Sequence, residues 1–311
     1  MYSPVFKGVA TALITPFCDN GIDYAAFARF IEFQLSSGID ALVVCGTTGE
    51  SSTLNDGEKR EVIKFVVKQA RGRVPVIAGT GSNSTACSVD LSKYACSVGA
   101  DAILAVTPYY NKATQNGLFE HYKKIAESID KPVILYNVPS RTGVNIEPQT
   151  YLRLSAINNI SAIKEASCSM SDVVRTFSLV FDKLYIYSGN DDLFLPFLSL
   201  GASGIISVVS NIFPKTMKKI YTYSIEGKSK KSAEIMLELI PIINLLFSEP
   251  NPIPVKAAAS YLGYCENLLR LPLTPMNEKS KTELVSLVKK QLQNEVEEAK
   301  CQSLSYNPDI Y

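Results

Sequence analysis

Short runs of Val, Ile, Leu and Ala recur through the first two thirds of the chain, at 9–14, 41–45, 74–78, 102–106, 132–136, 160–164, 184–187 and 204–209. They are nearly uniformly apolar. A half-exposed strand would alternate, so this pattern predicts strands covered on both faces of a parallel sheet. Between the runs the period changes to 3.6. Phe27, Phe30, Ile31, Gln34 and Leu35 share one helical face after a candidate cap at Asp23, and Gly38 sits where a C-terminal glycine stops a helix. Asn55 and Glu58 have capping-box spacing ahead of Val62, Phe65 and Val66. Eight strand-helix units in series, spaced by roughly 20–35 residues, are what an α/β fold of the closed (β/α)8 TIM barrel type requires. The doubly wound open sheet is the competing arrangement, but Gly79-Thr80-Gly81-Ser82-Asn83-Ser84 does not complete a GxGxxG fingerprint.

After about residue 227 the rhythm stops. Segments 233–247, 254–262 and 278–299 predict helices, the first kinked at Pro241. Residues 1–227 are therefore expected to form the barrel and 228–311 a C-terminal helical appendage. Its charged stretch 289–300 reads as a solvated helix face, and 301–311 as a frayed tail.

Composition narrows the chemistry. With 46% hydrophobic and 20% charged residues, the chain has the make-up of a globular protein with a large core. Its 31 Lys+Arg against 30 Asp+Glu give a net charge of +1, which argues against nucleic acid or an anionic membrane as partner. No apolar run approaches the ~18 residues of a membrane span, and residues 1–7 lack the form of a signal peptide, so a cytoplasmic location is expected. Seven scattered cysteines without a CxxC pair read as reduced thiols. The single histidine, His121, excludes a site built on two imidazoles, which argues against zinc-hydrolase and non-haem iron chemistry; it is placed on a helix surface.

In a barrel of this kind the site gathers at the C-terminal ends of the strands. There the sequence places Gly46-Thr47-Thr48-Gly49-Glu50, Gly79-Thr80-Gly81, Thr107-Pro108-Tyr109-Tyr110-Asn111, Tyr136 through Gly143, Lys164-Glu165, Gly189-Asn190-Asp191 and Ser207. Lys164 ends the sixth run and points to the barrel mouth. A desolvated lysine amine is a nucleophile toward carbonyls and forms Schiff bases; the competing readings are a simple ion pair with Glu165 or Asp191, or a pyridoxal-phosphate lysine, for which no clear phosphate cradle is present. Tyr136, one strand away, is placed either to shuttle a proton beside that amine, relayed by Thr47 or Tyr110, or simply to pack with a wet tip. Thr47 and Thr48, in a glycine-bounded turn, are candidates for a small carboxylate, and Arg141 offers a planar fork to a second one or else a surface ion pair.

Five strings, 46–51, 107–111, 136–143, 163–166 and 249–256, stand in order across about residues 6–273. Together they resemble the dihydrodipicolinate synthase family of pyruvate-dependent class I aldolases. The resemblance implies a lyase. Lys164 would form an imine with pyruvate, Tyr136 would transfer protons, and Thr47 would link it to Tyr110, which in relatives enters the neighbouring subunit's site; a homodimer or homotetramer follows. Thr47 and Thr48 match the pyruvate-carboxylate site, Gly189 and Ile206 supply backbone groups around the ketoacid, and Arg141 matches the arginine that meets the aldehyde's carboxylate. The implied reaction condenses pyruvate with L-aspartate-4-semialdehyde to 4-hydroxy-tetrahydrodipicolinate, toward diaminopimelate and lysine, with no metal or organic cofactor. The rivals are an N-acetylneuraminate lyase or a 2-keto-3-deoxy sugar acid aldolase, which usually lack the Ser140-to-Gly143 string and paired threonines, and a non-catalytic ketoacid sensor. Ser51, Asn83 and Tyr109 match positions that contact lysine in feedback-regulated relatives. Cys87 stands where those relatives place a glutamate, and Asp56 and Lys59 where some place histidines, so lysine is expected to inhibit weakly or not at all.

Overall fold

A computed structural model describes residues 3–305, with side chains placed through residue 297. Eight strands pair in parallel and close on themselves: β1 (Gly8–Ala12), β4 (Ala41–Val44), β5 (Val76–Gly79), β6 (Ala102–Val106), β7 (Val133–Asn137), β8 (Ile160–Glu165), β9 (Tyr185–Ser188) and β10 (Gly204–Ser207). A short antiparallel hairpin, β2 (Phe17–Cys18) and β3 (Gly21–Ile22), interrupts the first unit. The periodicity had not announced it, although Asp19-Asn20-Gly21 is a turn sequence.

The uniform apolar runs split by strand alternation into two populations. Ala10, Ala12, Ala41, Val43, Ile77, Ala102, Leu104, Ile134, Ala162 and Ile206 fill the barrel interior, many of them small enough for eight strands to converge. Their neighbours Val9, Leu42, Val44, Ala78, Ile103, Val133, Leu135, Ile163, Ile186 and Ile205 face the helices. Phe6 stacks on Tyr187 at 4.3 Å and plugs the N-terminal end, with the Tyr187 hydroxyl donating to the Phe6 carbonyl at 2.8 Å.

Strand ends differ from the apolar runs by at most two residues, and β6 coincides with its run. Leu13 and Ile14 stay buried as a loop over the barrel end, and Val209 enters a 3₁₀ turn (Val209–Asn211). Around the barrel lie α1 (Tyr24–Ser36), α2 (Asp56–Ala70), α3 (Thr85–Ser97), α4 (Gln115–Ala126), α5 (Pro139–Thr142), α6 (Pro148–Leu154), α7 (Met170–Val180), α8 (Phe194–Ser199) and α9 (Pro214–Ile225). The caps are those the sequence offers. Asp23 accepts from the Ala26 amide at 2.9 Å, the Asn55–Glu58 box is complete, and Gly38 follows α1 at φ +77°. Three further helices, α10 (Ser229–Leu246, with Pro241 inside it), α11 (Ile253–Tyr261) and α12 (Glu278–Ser305), follow the eighth unit. Helix α12 runs through Ser305, into the first residues of the expected frayed tail; residues 306–311 lie outside the described residues. Among the described residues no helix is long and apolar enough to cross a membrane.

Candidate active site

Parallel closure brings all eight strand C-termini to one face, and a cavity of ≈ 510 Å³ opens there. Thr47, Thr48, Tyr136, Arg141, Lys164 and Gly189 all line it. In the β7–β8 register Tyr136 lies directly opposite Lys164, so both side chains point inward and the Lys164 amine stands 4.3 Å from the Tyr136 ring centroid. Position 189 must be glycine for a reason of space. A Cβ there would meet the Ala166 Cβ at 2.7 Å, the Glu165 carbonyl at 3.0 Å and the Lys164 Cε at 3.2 Å.

The ion-pair reading of Lys164 does not hold among the described residues. Glu165, one residue on, faces the helical layer, where its carboxylate accepts from the Ser167 amide (2.8 Å), the Tyr151 hydroxyl (2.9 Å) and the Asn137 amide nitrogen (3.0 Å). Burial pushes the Glu165 carboxyl up, and those hydrogen bonds pull it back. Asp191 accepts from the Ser207 hydroxyl and the Val208 amide, a geometry that clamps the end of β10. Burial raises its carboxyl to about 6, against the pull of these donors and of the Lys164 charge. No carboxylate among the described residues forms an ion pair with the lysine, whose amine faces the cavity.

The threonine turn is held from below and from the far end of the chain. Gly49 and Ser51 amides both donate to the Gly46 carbonyl, and Glu50 takes φ +54°. Glu50 is buried and ion-paired to buried Lys256 on α11 at 2.6 Å, with the Arg270 amide donating to its other oxygen at 3.1 Å. The Asn251 amide donates to the Thr48 hydroxyl oxygen at 2.9 Å. Ile243, Asn244 and Phe247, at the end of α10, complete one wall of the cavity. None of these C-terminal residues carried a site role in the sequence reading. Segment 249–256 stood out there only as a family string. Cys168 and Asp192 are further lining residues that it missed, while Ser140 and Asn190 stood in its strand-end strings without a role of their own.

Arg141 sits on the short helix α5, begun by Pro139 and stopped by Gly143 at φ +71°, at the rim where the first cavity meets a second of ≈ 750 Å³. Ser51, Tyr109, Asp56, Lys59 and Cys87 line that second cavity; Asn83 does not, and its carbonyl accepts from the Asn111 side chain at 2.9 Å. Tyr110 lines neither. At φ +73° and 92% exposed, it projects away from its own chain. The Ile206 side chain is buried inside the barrel, leaving only its backbone for a ligand.

His121 corrects an expectation. It is 5% exposed rather than a surface residue, with Nδ1 2.9 Å from the Thr85 hydroxyl and its ring edge against Tyr122. Burial alone lowers its pKa to about 4. The sequence held the signal: Leu118 and Ile125, three before and four after, put it on the apolar face of α4.

A closed parallel barrel whose mouth sets a lysine amine against a phenol, beside paired threonines and a rim arginine, has the layout of a Schiff-base aldolase. Residues 5–291 match the model of the dihydrodipicolinate synthetase family, and the chain belongs to that family. It is 52% identical over 280 residues to the 4-hydroxy-tetrahydrodipicolinate synthase of Acetivibrio thermocellus, covering 90% of this chain and 95% of that one. The crystal structure of dihydrodipicolinate synthase from Aquifex aeolicus superposes with a TM-score of 0.90 at 45% identity, covering 92% of this chain and 98% of the other. The chloride-inhibited enzyme from Acinetobacter baumannii, solved with pyruvate bound, gives 0.89 at 41% identity, covering 91% and 98%.

Proposed function

We infer that this chain is a lyase that condenses pyruvate with L-aspartate-4-semialdehyde to 4-hydroxy-tetrahydrodipicolinate, a step toward diaminopimelate and lysine. The observation that carries the reading is the Lys164 amine at the barrel mouth, set against Tyr136 and without an ion pair among the described residues. Its lone pair attacks the ketone of pyruvate and water leaves, giving an iminium that withdraws electrons from the neighbouring carbon. Loss of a methyl proton yields the enamine. The enamine carbon attacks the aldehyde, and the new alkoxide takes up a proton. The acceptor's own amine then displaces the lysine at the imine carbon, closing the ring and regenerating Lys164. Tyr136 is the group placed to move these protons, and Thr47, which lines both cavities, is its first relay partner. Thr48, its oxygen already accepting from Asn251, keeps its single O–H for the pyruvate carboxylate. Arg141 at the rim suits the carboxylate of the aldehyde, and backbone groups of Gly189 and Ile206 flank the ketoacid. No metal or organic cofactor enters, since the iminium is itself the electron sink.

Tyr110 supports an oligomeric enzyme. A side chain so exposed on a left-handed backbone completes the relay only by entering a second subunit's site, in a homodimer or homotetramer, within the cytoplasm. The test is incubation with pyruvate and borohydride, followed by peptide mapping. A reduced pyruvate adduct on Lys164 is expected. Absence of label sinks both this reading and the sugar-acid aldolase alternatives, and leaves a ketoacid sensor; faster cleavage of N-acetylneuraminate than condensation would reassign the substrate.

A further inference from the structure

One residue beyond Lys164 and Tyr136, on the opposite face of the same two strands, lies a second facing pair, Glu165 and Asn137. Both are buried. The Asn137 amide nitrogen spends its hydrogens on Glu165 (3.0 Å) and on the Asn145 side-chain oxygen (2.7 Å), while its own oxygen accepts from the Ile146 amide at 3.1 Å. Residues 145 and 146 close the loop that opens with α5 and carries Arg141.

The carboxylate determines which way this amide points. Reversed, Asn137 would set its oxygen against the two Glu165 oxygens and leave the Ile146 amide and the Asn145 oxygen without complementary partners. We propose that Glu165 is a positioning residue for acceptor recognition, acting through Asn137 and Asn145 to fix the loop on which Arg141 meets the aldehyde's carboxylate. This rests on the role given to Arg141 above. Because the lock stands behind the strands and touches no group of the threonine turn, pyruvate binding and imine formation do not depend on it.

Three variants test this. Glu165→Met removes both acceptors at similar size and should raise KM for the aldehyde about tenfold while KM for pyruvate stays within about twofold. Glu165→Gln retains one carbonyl for Asn137 and the Ser167 amide, and should recover most of that loss. Asn145→Ala breaks the last link without stranding a buried charge, so it decides the matter if Glu165→Met does not fold; it should reproduce the split between the two KM values. In both Asn145→Ala and any folded Glu165→Met, amides of 140–146 should exchange faster than in wild type, whereas borohydride trapping of pyruvate on Lys164 should be undiminished. An aldehyde KM within about twofold of wild type in Asn145→Ala overturns the proposal, as does equal damage to both substrates. Failure of wild-type trapping would instead overturn the lysine chemistry, and the exchange measurement would still report on the lock.

Discussion

Lys256 is wholly buried, its ammonium 2.6 Å from the Glu50 carboxylate and 4.0 Å from the Phe17 ring centroid. Lys256→Met keeps the apolar stem over Phe17 and deletes only the charge. Glu50 is then left buried with a single remaining donor, the Arg270 amide at 3.1 Å. Breaking a buried pair on one side costs about 3–5 kcal/mol, because the surviving charge has lost both water and partner. At ~2.1 cal/mol/K per residue for the entropy of unfolding, a chain of 311 residues should melt about 5–8 °C lower. Burial holds the Lys256 pKa down, with Glu50 opposing, so the attraction within the pair is set against a desolvation cost that disappears when both charges go. Removing both charges, Glu50→Gln with Lys256→Met, should therefore recover most of the lost stability. Calorimetry and urea titration of wild type, single and double variants provide the check. The turn that Glu50 ends carries Thr47 and Thr48, so the single variant should also raise KM for pyruvate. A loss below about 1 kcal/mol in the single variant, or no recovery in the double, would refute the reasoning.

Tyr136→Phe removes one hydroxyl from a buried ring and should slow turnover ~10²-fold or more; a change under about threefold would return Tyr136 to a packing role. Lysine should not half-inhibit initial rates below about 1 mM at subsaturating pyruvate, an affinity of ~4 kcal/mol, because Cys87 stands where the resemblance places the effector's glutamate, Lys59 adds like charge to the second cavity, and Asp90 there is paired with Arg60. Inhibition at lower concentration would show that Ser51, Tyr109 and Asp56 suffice. His121, the sole histidine, gives one imidazole signal in NMR, which should remain that of the neutral ring down to about pH 4; a midpoint near ~6.5 would contradict its burial. Its folded pKa lies below the unfolded value, so the unfolded chain takes up the proton first. The stability it contributes is therefore present above pH ~6.5 and lost as pH falls toward 4.

Local order was legible where one segment's own pattern decides it. Each barrel strand is a short apolar run, the Asn55–Glu58 box starts α2 from within four residues, and Lys164 and Tyr136 each close a run, which in a parallel barrel places them at the mouth. Hydrogen bonding and burial along a strand or a helix turn repeat every few residues, so the sequence carries them openly. What tertiary structure alone decided lies between segments. The register that sets Tyr136 against Lys164, and hence Asn137 against Glu165 behind them, is a choice among sliding alignments of two uniformly apolar strands, which periodicity leaves open. The contacts of Asn251 with Thr48 and of Lys256 with Glu50 span more than two hundred residues. Nothing local to 249–256 marks them, because a buried polar side chain declares its partner only when the fold has taken water away from both.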